Sequence, residues 1–265
     1  MKLLAVSSYS EVGDVRRNVL DTIQWIEKAQ ANGVDFVLFP ELNLSGYTKD
    51  REVIDEVLAQ KEAIFQDLKN ISKQVSLAFA IGFPEKEGTF YYISHFLFSD
   101  GAVVGVHRKT HLGPTEKECY SEGNEMNVYA VGQIKIGFQL CYETHFPEIS
   151  SIQSRKGAHV LAMPFASPRE NAVDKLARFK RFLPARAYDN SCFVMACNLG
   201  MSMKGESGGV RLALIINPKG ELIGQETDGS SMVTISLEEI ERIHQTKMGH
   251  FNHWKRTDLL RSYYE

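Results

Sequence analysis

Two rhythms of apolar residues alternate along the chain. KLLAVS (2–7) predicts a first strand, after which Val15, Val19, Ile23 and Ile26 fall on one face of a helix. Asp14 stands at the N-cap position of that helix, and Gly33 where a left-handed cap would close it. VDFVLF (34–39) is nearly all apolar, as befits a strand covered on both faces, and Pro40 ends it. Val53, Ile54, Val57, Ile64, Leu68 and Ile71 predict one long or broken helix, followed by the strand SLAFAIGF (76–83). Strands at 89–98 and 102–107 flank the turn Ser99-Asp100-Gly101, and two more fall near 127–131 and 134–140. A helix at 147–156, a strand at 159–163, a helix near 172–189 and a strand at 191–197 come next. In the last third, strands 210–216 and 221–225 are joined by Asn217-Pro218-Lys219-Gly220. A strand at 231–236 and a helix at 237–247 follow.

The pattern echoes itself once. NGVDFVLFPELNL (32–44) and KGAHVLAMPFASP (156–168) share a small cap, a buried strand and a proline at the strand's end. Both would deliver the following residues to the same edge of a sheet, which implies two related halves in one domain. Helices and strands alternate without a linker, so the expectation is a layered α/β fold with helices outside the sheets.

Composition narrows the setting. The 265 residues suffice for one large domain or two small ones, and 43% hydrophobic content is ordinary for a globular core. A net charge of −3 argues against a general grip on nucleic acid or acidic membrane. The basic run Lys175–Arg186 reads as a solvated helix face. MKLLAVSSYS has too short an apolar run for a signal peptide, and no apolar stretch is long enough to span a bilayer. Cysteines 119, 141, 192 and 197 have neither metal-ligand nor disulfide-framework spacing. A cytoplasmic protein with reduced thiols is expected, with no metal, cofactor, membrane or nucleic acid as partner.

Chemistry gathers at the strand ends. Cys141 sits where IKIGFQL gives way to a tight turn before a helix, the position at which α/β strands open onto ligand crevices. A lone cysteine is more often a packed thiol. Glu41, however, follows the apolar run ending in Phe39-Pro40, and Lys109 follows the strand ending in VHR. Each charge alone reads as ordinary surface. Together they form a possible acid–base–nucleophile set, in which a glutamate takes the thiol proton and a lysine stabilises developing negative charge.

FPELNLSGY (39–47), HRKTHLGPTEKE (107–118) and GFQLCYETHFPE (137–148) resemble, in order, the three signature blocks of the nitrilase, or carbon–nitrogen hydrolase, superfamily. LPARAYDNSCFVMACN (183–198) and GGVRLALIINPKGELIG (208–224) resemble the same family, so the likeness covers almost the whole chain. The resemblance implies a four-layer α-β-β-α sandwich with two mixed sheets and internal pseudo-two-fold similarity. It implies one domain over 1–265, assembling as a homodimer or higher homo-oligomer, with a tail from about 248 packing on a partner subunit. Tyr263 and Tyr264 would suit that interface.

By the same resemblance Glu41 is the general base, Lys109 the oxyanion-stabilising lysine and Cys141 the nucleophile. Glu116 matches a second glutamate of many members, with Glu118 as an alternative because the loop is a residue shorter here. The implied reaction is hydrolysis of a small amide or N-carbamoyl compound through a thioester. The Cys-Tyr-Glu stretch resembles the amidase and carbamoyl-hydrolase branches more than nitrilases. A nitrilase, or a retired binding scaffold of the same fold, are the alternatives.

Candidate substrate-binding residues are Tyr47, Tyr142, His145, Phe165 and Ser167. His145 stands where many relatives have arginine and reads either as a pocket imidazole or as a hydrogen-bonded supporting histidine. A substrate carboxylate could meet Arg169, Lys175 or Arg178, which otherwise belong to the solvated face. Cys192 and Cys197 read as packed thiols, and His244, His250 and His253 as a surface tail with no metal-site spacing.

Overall fold

A computed structural model describes residues 1–167, 170–203, 206–227, 229–246 and 248–264, with side chains for all but 201–203, 206–208 and 262–264. Arg169, Lys247 and the side chains of Tyr263 and Tyr264 therefore lie outside the described residues.

The strands in chain order are β1 (Lys2–Val6), β2 (Tyr9–Glu11), β3 (Phe36–Leu38), β4 (Ala78–Glu87), β5 (Phe90–Ser99), β6 (Ala102–Arg108), β7 (Val128–Val131) and β8 (Ile134–Phe138). They continue with β9 (Val160–Phe165), β10 (Phe193–Asn198), β11 (Gly200–Met203), β12 (Glu206–Gly208), β13 (Leu212–Ile216), β14 (Leu222–Glu226) and β15 (Ser230–Thr234). The helices are α1 (Val15–Ala31), α2 (Arg51–Leu58), α3 (Lys61–Gln74), α4 (Pro147–Arg155), α5 (Ala172–Phe179), α6 (Leu183–Asn190), α7 (Glu238–Gln245), α8 (Phe251–Trp254) and α9 (Thr257–Tyr264).

Two six-stranded mixed sheets carry the fold, ordered β15-β1-β3-β4-β5-β6 and β14-β13-β10-β9-β8-β7. Taken from the β15 end of the first and the β7 end of the second, the pairings run antiparallel, parallel, parallel, antiparallel, antiparallel in both. The sheets are thus pseudo-equivalent, and the echoed segments 32–44 and 156–168 fall on the matching strands β3 and β9.

Strand alternation sorts each side chain into a layer. Leu3, Ala5, Phe36 and Leu38 of the first sheet meet Ile136, Phe138, Ala162 and Met195 of the second in a shared core. On the outer face of the first sheet, Leu4, Val37 and Phe79 pack against Val19 and Ile26 of α1 and Phe65 and Leu68 of α3. On the outer face of the second, Leu161, Met163 and Phe165 pack against Phe179 of α5 and Leu183 and Ala187 of α6. Burying each large side chain contributes about 1.5–3 kcal/mol. The helix–sheet–sheet–helix order expected from the family resemblance is what this packing builds.

Two predicted helices are each a pair. The 53–71 pattern divides at Ala59-Gln60 into α2 and α3, and the 172–189 pattern divides before α6. Pro184 explains the second break: lacking an N–H, it fits only a first helical turn, and α6 begins there. A small third sheet, β12-β11-β2, has no counterpart in the sequence reading, because its short strands lack enough residues to show a period.

Candidate active site

Pro40 ends β3, and the chain beyond it is laid against β4. Phe39 N–H donates to the Ala80 carbonyl at 3.0 Å, Leu44 N–H to the Gly82 carbonyl at 3.2 Å, and Gly82 N–H to Asn43 Oδ1 at 2.9 Å. Gly82 makes this approach possible, since a Cβ there would lie 2.1 Å from the Leu42 nitrogen. The turn delivers Glu41, fully buried, into the interior.

Lys109 follows β6 and is fixed by its N–H to the Ile93 carbonyl at 2.8 Å. Its Nζ, also fully buried, donates to Glu41 Oε1 at 2.7 Å and to Glu116 Oε1 at 2.9 Å. The second oxygen of Glu116 accepts the Gly113 N–H at 2.6 Å, and the Tyr47 hydroxyl donates to the first at 3.3 Å. Glu118 is instead exposed, 3.7 Å from Lys49. Of the two glutamates, Glu116 alone meets Lys109.

Cys141 opens a 3-10 turn (Cys141–His145) just past β8, with φ +44°. Left-handed backbone costs a non-glycine residue about 1 kcal/mol, and such strain gathers at functional sites. The Ala166 N–H, just past β9, donates to Glu41 Oε2 at 3.0 Å and also lies against the Cys141 sulfur. Glu41, Cys141 and Ala166 therefore converge from two sheets, each just beyond the end of a parallel strand, where such folds bind ligands.

Charge shapes this cluster. Burial raises Glu41 to about 7, against the pull of Lys109 and with help from Glu116. Burial, then Glu41, raises the Cys141 thiol to about 12 although Lys109 pulls the other way. Lys109 itself is disfavoured by burial, yet Glu41, Cys141 and Glu116 hold it above the usual lysine range.

A second buried carboxylate braces the turn. Glu143 accepts the Leu140 N–H at 2.6 Å, the Thr110 N–H at 2.8 Å, the Thr110 hydroxyl at 2.5 Å and the His107 ring at 2.9 Å. Burial opposes its charge, but His107, Thr110 and Leu140 hold the carboxyl below the usual range. It ties the cysteine turn to the segment carrying Lys109. It stands two residues after Cys141 within the signature blocks, as His107 and Thr110 stand beside Lys109, but their spacing in sequence does not show that they meet.

The other expected residues lie on the cysteine turn and at or just past the end of β9. Tyr142 is exposed, with its ring 5.5 Å from that of Phe146. Exposed His145 packs against the Phe182 ring at 4.7 Å, tilted by 41°, its imidazole pushed down by burial and by Arg178 and Arg186. Phe165 is buried against Phe179 at 4.4 Å, in the cluster on which Cys141 rests. Ser167 donates its N–H to Asn198 Oδ1 at 3.0 Å.

The basic run corrects an expectation. Lys175 is fully buried on the inner face of α5, and its Nζ donates to the Ser167 carbonyl. Arg178, half-buried, pairs with Glu170 at 2.9 Å and reaches Ser167 Oγ at 3.1 Å. Lysine stems are long enough to pass apolar neighbours, which is why helix periodicity placed the charge wrongly. Cys192 and Cys197 are packed thiols as expected, and no helix among the described residues is long and apolar enough to cross a membrane.

Known proteins agree with this picture. The chain is 26% identical over 251 residues to a probable nitrilase of Schizosaccharomyces pombe, covering 89% of each chain. It is 28% identical over 242 residues to the 2-oxoglutaramate amidase of Bacillus subtilis, covering 88% of this chain and 90% of that one. The NitN amidase of Nesterenkonia sp. AN1 has the same fold, with a TM-score of 0.85, 21% identity and 99% of both chains covered. A family model described as carbon–nitrogen hydrolase matches residues 3–245, nearly the whole chain that builds both sheets and the buried Glu41–Lys109–Glu116 cluster. The chain belongs to the carbon–nitrogen hydrolase family.

Proposed function

We propose that the protein hydrolyses a small amide or N-carbamoyl compound through a thioester on Cys141. The observation that carries this reading is the buried lysine held by two carboxylates beside a half-buried thiol, with a backbone N–H shared between Glu41 and Cys141. A thiol at about 12 is not a standing thiolate, so its proton must leave as the bond to carbon forms. Glu41 takes that proton. Lys109 and the Tyr142 N–H stabilise the tetrahedral oxyanion. Glu41 then hands the proton to the departing nitrogen, and the C–N bond breaks to leave the acyl thioester. Water, deprotonated by Glu41, attacks that thioester; acid departs and the thiol is restored. Glu116 keeps Lys109 in register, and Tyr47 steadies Glu116.

The test compares matched amides and nitriles of the same acyl chain. Ammonia release is expected from the amides, with an acyl adduct on the Cys141 peptide under rapid quench; faster turnover of the nitriles would establish a nitrilase instead. Glu41 must be a carboxylate to act as base, so kcat/KM should rise with pH through an inflection near 7.

The same reading takes residues 1–265 as one domain in the cytoplasm, a setting supported by the unpaired thiols and modest charge. It takes the chain as at least a dimer. Asn252 pins the start of the tail to its own chain, bonding Ser151 at 2.9 Å, Ser154 at 3.0 Å and Asn190 at 2.9 Å. Met248 and Trp254 beside it are 81% and 67% exposed, apolar surface that a partner subunit would cover. Sedimentation equilibrium should return twice the chain mass or more; a monomer at micromolar concentration would refute the assembly.

A further inference from the structure

β9 and β10 run parallel, and their ladder ends with Asn198 opposite Phe165. Asn198 is fully buried, and its carboxamide works beyond that ladder. Oδ1 accepts the Ser167 N–H at 3.0 Å, while Nδ2 donates to the carbonyls of Val210 at 2.7 Å, Leu199 at 3.1 Å and Ser167 at 3.3 Å. Turned over, the amide would set its oxygen against three carbonyls, so these partners fix its orientation. One side chain thus takes both backbone groups of Ser167, as a further strand residue would, and carries the pairing past the end of β9.

What this pairing holds is Ala166. The peptide ahead of Ala166 is held by the Leu199 N–H, which donates to the Phe165 carbonyl at 2.9 Å, and the peptide after it by Asn198 Oδ1. Between these two ties, the Ala166 N–H donates to Glu41 Oε2 at 3.0 Å and lies against the Cys141 sulfur. A hydrogen bond weakens steeply as its angle opens, so the aim of this N–H sets what it gives to both groups. Resting on the amidase reading above, we propose that Asn198 is a positioning residue of the reaction, holding the Ala166 N–H on the carboxylate of Glu41 and the sulfur of Cys141. It acts through Ala166 and not on the reacting atoms. That N–H favours the charged form of both groups against the burial that raises them. Lys109 pulls Glu41 the same way and Glu116 opposes it, while burial and Glu116 keep the neighbouring Tyr47 hydroxyl protonated.

The test follows alkylation of Cys141 by iodoacetamide from about pH 5 to about pH 9, and kcat and KM with butyramide. Glu41 must be a carboxylate to take the thiol proton, so the wild-type alkylation rate is expected to rise through an inflection near 7. Asn198→Ala is expected to move that inflection up by about half a pH unit or more, and to lower kcat about tenfold with KM little changed. Ser7→Ala is the control for a loss of packing alone. The Ser7 hydroxyl donates to the Asn198 carbonyl and accepts the Leu212 N–H at 2.9 Å, a tie between the two sheets rather than to Ser167. This variant should lose thermal stability and keep the wild-type inflection. An inflection unmoved in Asn198→Ala, or moved equally in Ser7→Ala, overturns the inference and leaves Asn198 as a plug at the strand end. If Asn198→Ala does not fold, amide exchange in the wild type decides. The Ala166 and Ser167 N–H groups should exchange as slowly as those of β9, and exchange of either at the rate of an open loop overturns the inference. No turnover of butyramide or any other short amide, with the alkylation profile as described, would instead overturn the amidase reading itself.

Discussion

Cys141→Ala is expected to lower ammonia release by at least about 10⁴-fold, as removal of a nucleophile does when no neighbour can replace it. None of the other thiols is placed to do so. Cys192 and Cys197 are buried, with burial raising both, and the Cys119 thiol donates to the Lys49 carbonyl at 3.0 Å. The fold should survive, because the site's bracing runs through Glu143 and Glu41, neither of which needs the sulfur. Circular dichroism and the thermal midpoint should stay close to wild type while turnover vanishes. Turnover within a hundredfold of wild type would remove Cys141 from the mechanism.

Lys109→Met should be the costlier change for the folded state. It abolishes the oxyanion's ammonium and leaves two buried carboxylates, Glu41 and Glu116, without the cation between them. Breaking a buried pair in this way costs about 3–5 kcal/mol. Exposed pairs such as Arg17–Glu11, with side chains 74% and 43% exposed, would be worth at most about 1 kcal/mol.

The pH dependence follows from the same carboxyls. Glu41 already titrates above its ordinary value, and losing Lys109 raises it further. The folded state then binds more protons than the unfolded chain, so stability falls as pH rises from the ordinary glutamate value to the raised one. Denaturant unfolding should show the variant closest to wild type near pH 5 and furthest from it near pH 8. Equal stability to wild type at both values would contradict the arrangement described here.

Local sequence was a reliable guide wherever burial has a period. β1, α1 with its Asp14 cap, β4, the β5–β6 hairpin and α4 all appear where the alternation of apolar residues puts them, because a half-covered element must present one face to the core. Glu41, Lys109 and Cys141 each read alone as an ordinary surface charge or a packed thiol, and stood out only as a set at three strand ends within blocks that resemble the family's signature. The echo between 32–44 and 156–168 survived as the equivalence of β3 and β9.

Other features depend on pairs that no window of sequence contains. Glu116 rather than Glu118 reaches Lys109 because the turn at Gly113 folds its carboxylate inward, a choice made by the Gly113 N–H, the Tyr47 hydroxyl and an ammonium. The brace of Glu143 to His107 and Thr110 joins segments more than thirty residues apart. Lys175 faces inward against every habit of a basic helix, because the Ser167 carbonyl that accepts from its ammonium lies on that side of α5. Periodicity records how much of each residue is covered; it carries no information about which distant charge will do the covering. The apolar rhythm thus dictates the layers and the strand ends. The meeting of those ends, and with it the charge balance of the site, comes only from packing two sheets face to face.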